Sequence, residues 1–274
     1  MAIKASDVAK LRTMTGAGMM DCKNALQETD GDFDAAIDAL RKKGQKVASK
    51  RADREATEGA IISKVSADGK IGAIVMLNCE TDFVAKNDDF VAKVNALVDL
   101  ALTLKADSLE ALNAAAFGAS TVAEELINFT GVTGEKVEIG GYQLIEAAKV
   151  AAYIHPGNKV ATLVGFNETC DEQVCKDIAM QIAAMAPIAL DKGDVSQEVI
   201  DKEIEIGKEL AINEGKPADM AEKISLGRLN KFFAESTLLN QQFIKDNKVS
   251  ISQYLKSQSK TLTATAFKRF SLQA

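Results

Sequence analysis

An internal repeat is the feature that most restricts how this chain can fold. The stretch GKIGAIVMLNCETD (residues 69–82) aligns without gaps with NKVATLVGFNETCD (residues 158–171), at an offset of 89 residues. Each copy is preceded by a strand pattern and followed by a helical one. Two copies of a hairpin-plus-helix unit predict a core of two α+β subdomains related by duplication.

Turn residues and hydrophobic periodicity predict the elements around each copy. Asp68-Gly69 lies between two apolar runs, which predicts a β-hairpin over residues 59–78. Pro156-Gly157-Asn158 forms the tip of a second predicted hairpin in VAAYIHPGNKVATLVGFN. A Ser-capped helix in VSISQYLKSQ and a final strand in TATAFKRFSLQA are predicted near the end of the chain. Helical spacing of apolar residues predicts further helices at 88–104, 108–128 and 171–185, with a turn at 130–134.

The patterns in the remaining segments predict helices and a linker. Three short helical patterns separated by tight turns predict a compact N-terminal module, whose second helix runs over about 19–28. Between residues 41 and 59, seven Lys and Arg face three Asp and Glu, which indicates a solvated basic linker that can be partly helical; a nucleic-acid patch is the alternative. Two helical runs flanking EGKP predict an antiparallel helical hairpin. The predicted domains are a helical module (1–45), a basic linker (46–58), core subdomain 1 (59–140) and core subdomain 2 (141–274) with the hairpin inserted at about 196–235.

Composition argues against several classes of function. A net charge of −6 disfavours broad binding to a phosphate backbone. Aromatic residues make up 5% of the chain and Trp is absent, which disfavours a base-stacking surface. No apolar run approaches the roughly 18 residues of a membrane span, and MAIKASDVAK has no apolar signal core. We therefore expect a cytoplasmic protein with no direct nucleic-acid or membrane partner.

Few residues in the sequence could carry out catalysis. The single histidine, His155, excludes a multi-histidine metal site, and a Cys79–His155 dyad is the one pairing left open. No phosphate-binding glycine motif stands between a strand and a helix. Scattered cysteines in a chain of this length predict free thiols, at positions 22, 79, 170 and 175. The sequence thus predicts a protein that is not an enzyme, with no catalytic residues, no metal site and no cofactor.

Three apolar side chains stand where a core does not require them. Met19 and Met20 are adjacent, so both cannot point into a three-helix core; paired flexible methionines suit a partner's surface. Phe83 follows Asp82 at a predicted strand-to-helix junction. The second copy of the repeat has Glu172 at the position of Phe83, which indicates that the fold unit does not require an aromatic ring there. On the residues alone, burial of one methionine and burial of Phe83 remain alternatives.

Two segments resemble a known family. TGAGMMDCKNAL (15–26) and NCETDFVAKN (78–87) closely resemble the bacterial elongation factor Ts family, the guanine-nucleotide exchange factors for elongation factor Tu. The resemblance covers nearly the whole chain. It implies an α+β fold with an N-terminal three-helix ubiquitin-associated-like module, a duplicated α+β core of two subdomains and an inserted antiparallel helical hairpin.

The resemblance also implies a partner and contact residues. The partner is elongation factor Tu, in its GDP-bound and nucleotide-free states, and the family's phenylalanine enters between partner helices and disturbs the magnesium and phosphate site. At the tip YIHPGNKV, this chain has Pro156, Asn158 and Lys159 where the family has a glycine-rich tip followed by Arg, which weakens the assignment of the tip histidine. The implied contact residues are Asp82 and Phe83 with Thr81 and Val84 of the same motif, Met19 and Met20 of the module, and His155.

A second function remains an alternative on the sequence alone. The helical module would also suit a ubiquitin-associated-like adaptor that binds proteins without exchange activity. Exchange would depend on Phe83, whereas adaptor binding would not. The sequence leaves the oligomeric state open, with a homodimer and a 2:2 complex with the partner both compatible.

Overall fold

Two three-stranded antiparallel sheets form the centre of the molecule. The structure is a computed structural model that describes residues 3–272, with the backbone alone at 218 and 219. The strands, in chain order, are β1 (Glu58–Val65), β2 (Ile71–Cys79), β3 (Ala116–Phe117), β4 (Ser120–Thr121), β5 (Glu138–Glu146), β6 (Lys149–Ile154), β7 (Val160–Phe166), β8 (Gln242–Phe243), β9 (Asp246–Ser250) and β10 (Ala264–Ser271). The sheet orders are β1-β2-β5 and β6-β7-β10. Both sheets therefore place the second strand of a hairpin between the first strand and one from later in the chain.

Helices surround the sheets and build two further units. They are α1 (Ala5–Thr15), α2 (Met19–Glu28), α3 (Phe33–Arg51), α4 (Asp82–Ala85), α5 (Asp88–Leu104), α6 (Leu109–Ala114), α7 (Val122–Thr133), α8 (Glu172–Met185), α9 (Gln197–Asn213), α10 (Ala218–Ser236) and α11 (Ile251–Gln258). The predicted α+β class and both predicted β-hairpins are confirmed. The predicted final strand is β10; the last two residues of its predicted range, 273 and 274, lie outside the described residues.

The central strand β2 is buried on both faces, which explains its nearly continuous apolar sequence. Val75 and Leu77 belong to the core between this sheet and α5, whereas Ile74 packs against the other sheet, in a core that includes Ile61 and Leu163. This alternation is the two-residue period of a β-strand. On the far side, α8 covers the second sheet, and α11 contributes Ile251 and Leu255 to the same core. The result is four layers, helix, sheet, sheet and helix.

The N-terminal module packs on the core through helix α3. Its own small core includes Leu11, Cys22 and Leu26, all fully buried. Helix α3 crosses α7 where Gly44 meets Gly131, so closely that a Cβ on Gly131 would lie 2.5 Å from the Gly44 Cα. The lack of a Cβ on Gly131 allows the helix backbones to approach.

Helices α9 and α10 follow each other in the chain and pack together as a helical hairpin. Gly207 in α9 approaches Ser225 in α10, and a Cβ added to Gly207 would lie 3.0 Å from the Ser225 Cβ. At the base of the hairpin, Leu229 and Phe233 pack with Val195 in a separate small core. The hairpin therefore has its own packing, separate from the cores of the two sheets.

Two expectations about local structure were wrong. The helix predicted over 108–128 is divided into α6 and α7 by the short β3–β4 ribbon, because Gly118 turns the chain with φ +65°. The turn predicted at 130–134 is the last turn of α7, which ends at Thr133 with Gly134 as its C-cap. Separately, helix α3 continues to Arg51, so residues 46–51 of the predicted basic linker are helical, which a partly helical linker allows.

The prediction of four free thiols was also wrong for one pair. Cys170 and Cys175 form a disulfide, with Cα atoms 6.5 Å apart, whereas Cys22 and Cys79 are free and buried. Asp171 caps α8 between the two partners, so the first turn of the helix returns Cys175 to the preceding loop. The two cysteines can pair because the first turn of α8 brings them together, which their spacing in the sequence alone did not reveal.

Candidate functional site

Phe83 lies on a single helical turn directly after the central strand of the first sheet. β2 ends at Cys79, and α4 begins at Asp82 with Thr81 as its N-cap, whose Oγ1 accepts a hydrogen bond from the Val84 backbone N–H at 3.4 Å. The Phe83 side chain is 85% exposed. Val84 packs against the core below and Ala85 is buried, so the turn is anchored by its other face. Burial of Phe83 in this protein's own core, the alternative left open by the residues alone, is wrong.

The backbone that leads into α4 is held by a glutamate from a distant turn. Glu135, between α7 and β5, accepts hydrogen bonds from the Glu80 N–H at 3.2 Å, the Thr81 N–H at 3.0 Å and the Thr81 hydroxyl at 2.7 Å. In return the Glu80 carboxylate accepts from the Lys136 N–H at 2.7 Å and pairs with Arg51 at 2.7 Å. Arg51 is the last residue of α3, so the module is fastened to the same junction.

Asp82 is an exposed carboxylate next to Phe83. Its Oδ2 lies 2.6 Å from the Lys86 Nζ one turn later. The hydrogen bond from Lys86, with a smaller contribution from the positive charge of Lys159, holds the Asp82 pKa below its usual value. Asp82 is therefore ionised at neutral pH and presents a negative charge beside the exposed ring.

The tip of the second hairpin lies beside the same end of the first sheet. The Asn158 carbonyl accepts from the Ile61 N–H at 2.7 Å, and Lys159 pairs with Glu58 at 2.8 Å. Glu58 is the register partner of Cys79, where β2 gives way to the Phe83 turn. The two sheets thus bring this tip, with the exposed His155, to the end of the molecule where α4 stands. The His155 Nδ1 lies 3.1 Å from the Tyr153 hydroxyl.

The Cys79–His155 dyad does not form. The Cys79 thiol donates to the Thr81 carbonyl at 3.2 Å, while His155 has Tyr153 as its neighbour. Burial, reinforced by the negative charge of Glu135, raises the Cys79 pKa to about 12. A thiol with that pKa stays protonated at neutral pH and is a poor nucleophile. Cys79 is a structural residue of the junction.

The two predicted methionines are both exposed. Met19 and Met20 begin α2 and are 52% and 61% exposed, respectively. Met14, in the last turn of α1, is 55% exposed and flanks the same α1–α2 turn. We refer to Met14, Met19 and Met20 as the methionine patch. Met14 was not among the predicted contact residues, although it stands only five positions before Met19.

Helix α3 relates the methionine patch to the Phe83 turn. Near the middle of α3, Lys43 pairs with Asp21 of α2, the residue that follows Met20. At its end, Arg51 pairs with Glu80, next to the cap of α4. One continuous helix of 19 residues therefore connects the two sets of exposed apolar side chains.

Residues 3–272 contain no cluster of three or more His, Cys, Asp or Glu side chains arranged to hold a metal ion. Within the same range, no helix has the length and apolar character needed to cross a membrane. What the described surface does present is a set of large apolar side chains on firmly held elements. Exposed apolar groups of this kind are typical of a protein that binds another protein.

Comparisons with known proteins identify the family within that class. A family model described as Elongation factor TS matches residues 80–274. The Elongation factor Ts of Porphyromonas gingivalis is 50% identical over 275 aligned positions, covering 100% of both chains. That of Flavobacterium psychrophilum is 51% identical over 272 positions, covering 98% of each chain. The chain belongs to the elongation factor Ts family, and so to the translation elongation factors of protein biosynthesis.

Proposed function

We propose that this chain binds elongation factor Tu, in its GDP-bound and nucleotide-free states, and promotes GDP release by distorting the magnesium and phosphate site, so that GTP can reload. Membership of the family implies elongation factor Tu as the partner. The observation that carries the proposal is the 85% exposure of Phe83 on a turn whose backbone is anchored on several sides. Such a ring gains its apolar burial in another protein.

Exchange of this kind requires no bond-making by the factor itself. If it binds nucleotide-free elongation factor Tu more tightly than the GDP-bound form, linkage requires that it weaken GDP binding by the same factor. Phe83 supplies this difference in affinity between the two forms of the partner if its ring is buried only when the partner's helices have separated. No catalytic residue and no cofactor of this chain is part of the proposal.

The size of the effect indicates that Phe83 does not act alone. Complete burial of a Phe side chain is worth about 1.5–3 kcal/mol, which corresponds to one to two factors of ten in coupling. Loss of magnesium contacts to the nucleotide would add to this, because the ion holds the phosphates. The free energy that drives the distortion must then come from the rest of the docking surface.

We assign that docking surface to the other predicted contact residues. Met19 and Met20 are proposed to dock on the partner's GTPase domain, joined by Met14 as the third member of the methionine patch. Asp82, Thr81 and Val84 belong to the Phe83 turn. His155 is proposed as an additional contact because its hairpin tip lies at the same end of the molecule. In this proposal, residues 1–45 form a ubiquitin-associated-like module and the two sheets with their helices form a duplicated core.

The test is the release of fluorescently labelled GDP from elongation factor Tu, with wild type and with Phe83→Ala. We expect wild type to accelerate release and Phe83→Ala to lose about tenfold to a hundredfold of that acceleration, following the burial free energy of the ring. Leu104→Ala is the matched control, since it also removes an exposed apolar side chain, at the far end of the 17-residue helix α5, which is about 25 Å long, and should leave the rate unchanged.

The outcomes separate the proposal from the adaptor function. Failure of wild type to accelerate release would refute exchange activity. Binding of elongation factor Tu without acceleration would favour an adaptor built on the helical module. Full activity of Phe83→Ala would leave exchange standing but exclude Phe83 as the residue that drives it.

A further inference from the structure

The anchoring of the Phe83 turn is of an uncommon kind. Glu135 directs its carboxylate at two consecutive backbone N–H groups and the Thr81 hydroxyl, and it lies 54 and 55 residues away from these donors in the chain. Both side-chain oxygens are used. Backbone donors cannot rotate away, so a carboxylate that accepts from residues 80 and 81 fixes the direction in which the chain leaves β2 and enters α4.

The contact is reciprocal. While Glu135 binds the backbone of 80 and 81, Glu80 binds the backbone N–H of Lys136. Two partly buried carboxylates thus fasten two segments to each other, with Arg51 pairing Glu80. Placing two like charges in one partly buried junction is unfavourable unless hydrogen bonds compensate, so the arrangement indicates a requirement beyond simple packing.

The second copy of the repeat shows what the fold unit alone requires. There the connection after β7 is also tied to the segment that precedes the third strand, but the backbone groups are bound by a neutral amide, and the Glu168 carboxylate accepts only from the Thr261 hydroxyl, at 3.1 Å. The Asn167 side chain donates to the Thr261 carbonyl at 2.8 Å and accepts from the Thr263 N–H at 2.8 Å. Its repeat counterpart, Asn78, instead donates to the Ala56 carbonyl at 2.9 Å. The reciprocal pair of carboxylates that accept from backbone N–H groups belongs to the copy that carries Phe83.

We infer that Glu135 is a positioning residue for nucleotide exchange: it holds the backbone of residues 80 and 81 so that α4 presents the Phe83 ring to the partner in one orientation. This inference rests on the proposed function. Glu135 acts through Phe83 and need not touch the partner itself. Its contribution is to the step in which the ring is inserted, while the methionine patch provides initial binding.

The first measurement is hydrogen exchange of individual backbone amides in the full-length protein. In Glu135→Ala the amides of residues 80 and 81 should exchange about tenfold to a hundredfold faster than in wild type, since each loses a charged acceptor. In Glu135→Gln, which keeps one acceptor oxygen, the increase should be smaller. Glu138→Ala is the matched control; it removes a nearby glutamate that pairs with Lys136, and should leave both amides unchanged.

The second measurement is GDP release as a function of exchange-factor concentration. We expect Glu135→Ala to lower the maximal rate on the order of tenfold, because misplacing a reacting group by about 1 Å has effects of that size or larger. The half-saturating concentration should change little, because the methionine patch is intact. Glu135→Gln should fall between wild type and Glu135→Ala, and it carries the test if the alanine variant does not fold.

Several results would overturn the inference. Unchanged amide protection at 80 and 81 in both Glu135 variants would show that the carboxylate does not hold the junction. Lost protection with an unchanged maximal rate would show that positioning is not needed for exchange. A rate loss in Glu138→Ala equal to that in Glu135→Ala would show that the effect is not specific. An inactive wild type would instead refute the proposed function itself, and the exchange role of Glu135 with it.

Discussion

Replacing Gly131 by Ala tests how the N-terminal module is held on the core. Gly131 lies in α7 at its crossing with α3, and an added Cβ would stand 2.5 Å from the Gly44 Cα. Carbon atoms in favourable contact are about 3.5–4.0 Å apart, so the two helices would have to separate by about 1 Å or more. Both atoms are fixed to helix backbone, and no side-chain rotation can relieve the contact.

The expected change in stability has two parts of opposite sign. Overpacking of a close contact costs about 1–3 kcal/mol. Alanine in place of glycine inside a helix returns about 1 kcal/mol. We therefore expect Gly131→Ala to lower the free energy of unfolding by up to about 2 kcal/mol, measured by urea denaturation followed by circular dichroism.

The partner glycine at the same crossing is the matched control. A Cβ on Gly44 would come no closer than 3.5 Å to any neighbour, the nearest being the Ile127 carbonyl oxygen. Gly44→Ala should therefore be tolerated and should raise the free energy of unfolding by about 0.5–1 kcal/mol through helix propensity. The two substitutions lie at one crossing but are predicted to have opposite signs.

The functional consequence follows from the path of α3. If α3 moves away from α7, the methionine patch is displaced relative to the Phe83 turn. Gly131→Ala should then raise the half-saturating concentration for GDP release, while Gly44→Ala should not. Equal stability changes in the two variants would refute the close approach at Gly131 and the reasoning built on it.

Two further predictions concern the patch and the second subdomain. The double variant Met19→Ala, Met20→Ala should raise the half-saturating concentration of the exchange reaction by about tenfold or more. The reason is that burying one such side chain completely contributes about 1.5–3 kcal/mol to binding. Unchanged kinetics would exclude docking through the methionine patch. Asp177→Asn should lower the free energy of unfolding by about 1.5–3 kcal/mol at neutral pH, because the Asp177 carboxylate accepts from Lys245, Gln173 and Tyr254. Burial raises the Asp177 pKa, but these hydrogen bonds outweigh it and hold the pKa below the usual value. The stabilisation by the carboxylate is therefore fully present above the unfolded-state pKa of about 3.9 and is lost as pH falls through the lower folded-state pKa. The free energies of unfolding of wild type and variant should then converge in acid. A difference that stays constant down to about pH 2 would contradict this.

Elements with local signals at both ends could be predicted from the sequence. Helix α5 was predicted at residues 88–104, as observed, because apolar residues recur at helical spacing along it. In the structure, Asn87 caps its start. Helix α2 was predicted equally well. In both, the information that sets the boundaries lies within the element and its immediate neighbours.

Very short elements, and features that depend on distant residues, could not be predicted in this way. The break at Gly118 creates a ribbon of only two residues a side, too short to show a period. The role of Glu135 depends on contacts 54 and 55 residues away, and nothing in GVTGEK indicates them. The exposure of Phe83 was suggested by the repeat, but its contact with a partner, like those of Met19, Met20 and His155, stays a prediction.

The two copies of the repeat differ at the position that Phe83 occupies in the first, where the second copy has Glu172. This difference has an evolutionary consequence. The second copy pairs its strands and packs its helix with an acidic residue at that position, so this protein's own stability places little constraint on residue 83. Natural selection on residue 83 must then be exerted mainly from outside, by the surface of another protein. Lineages in which that surface changed should show compensating changes at residue 83 while the surrounding sheet stays constant.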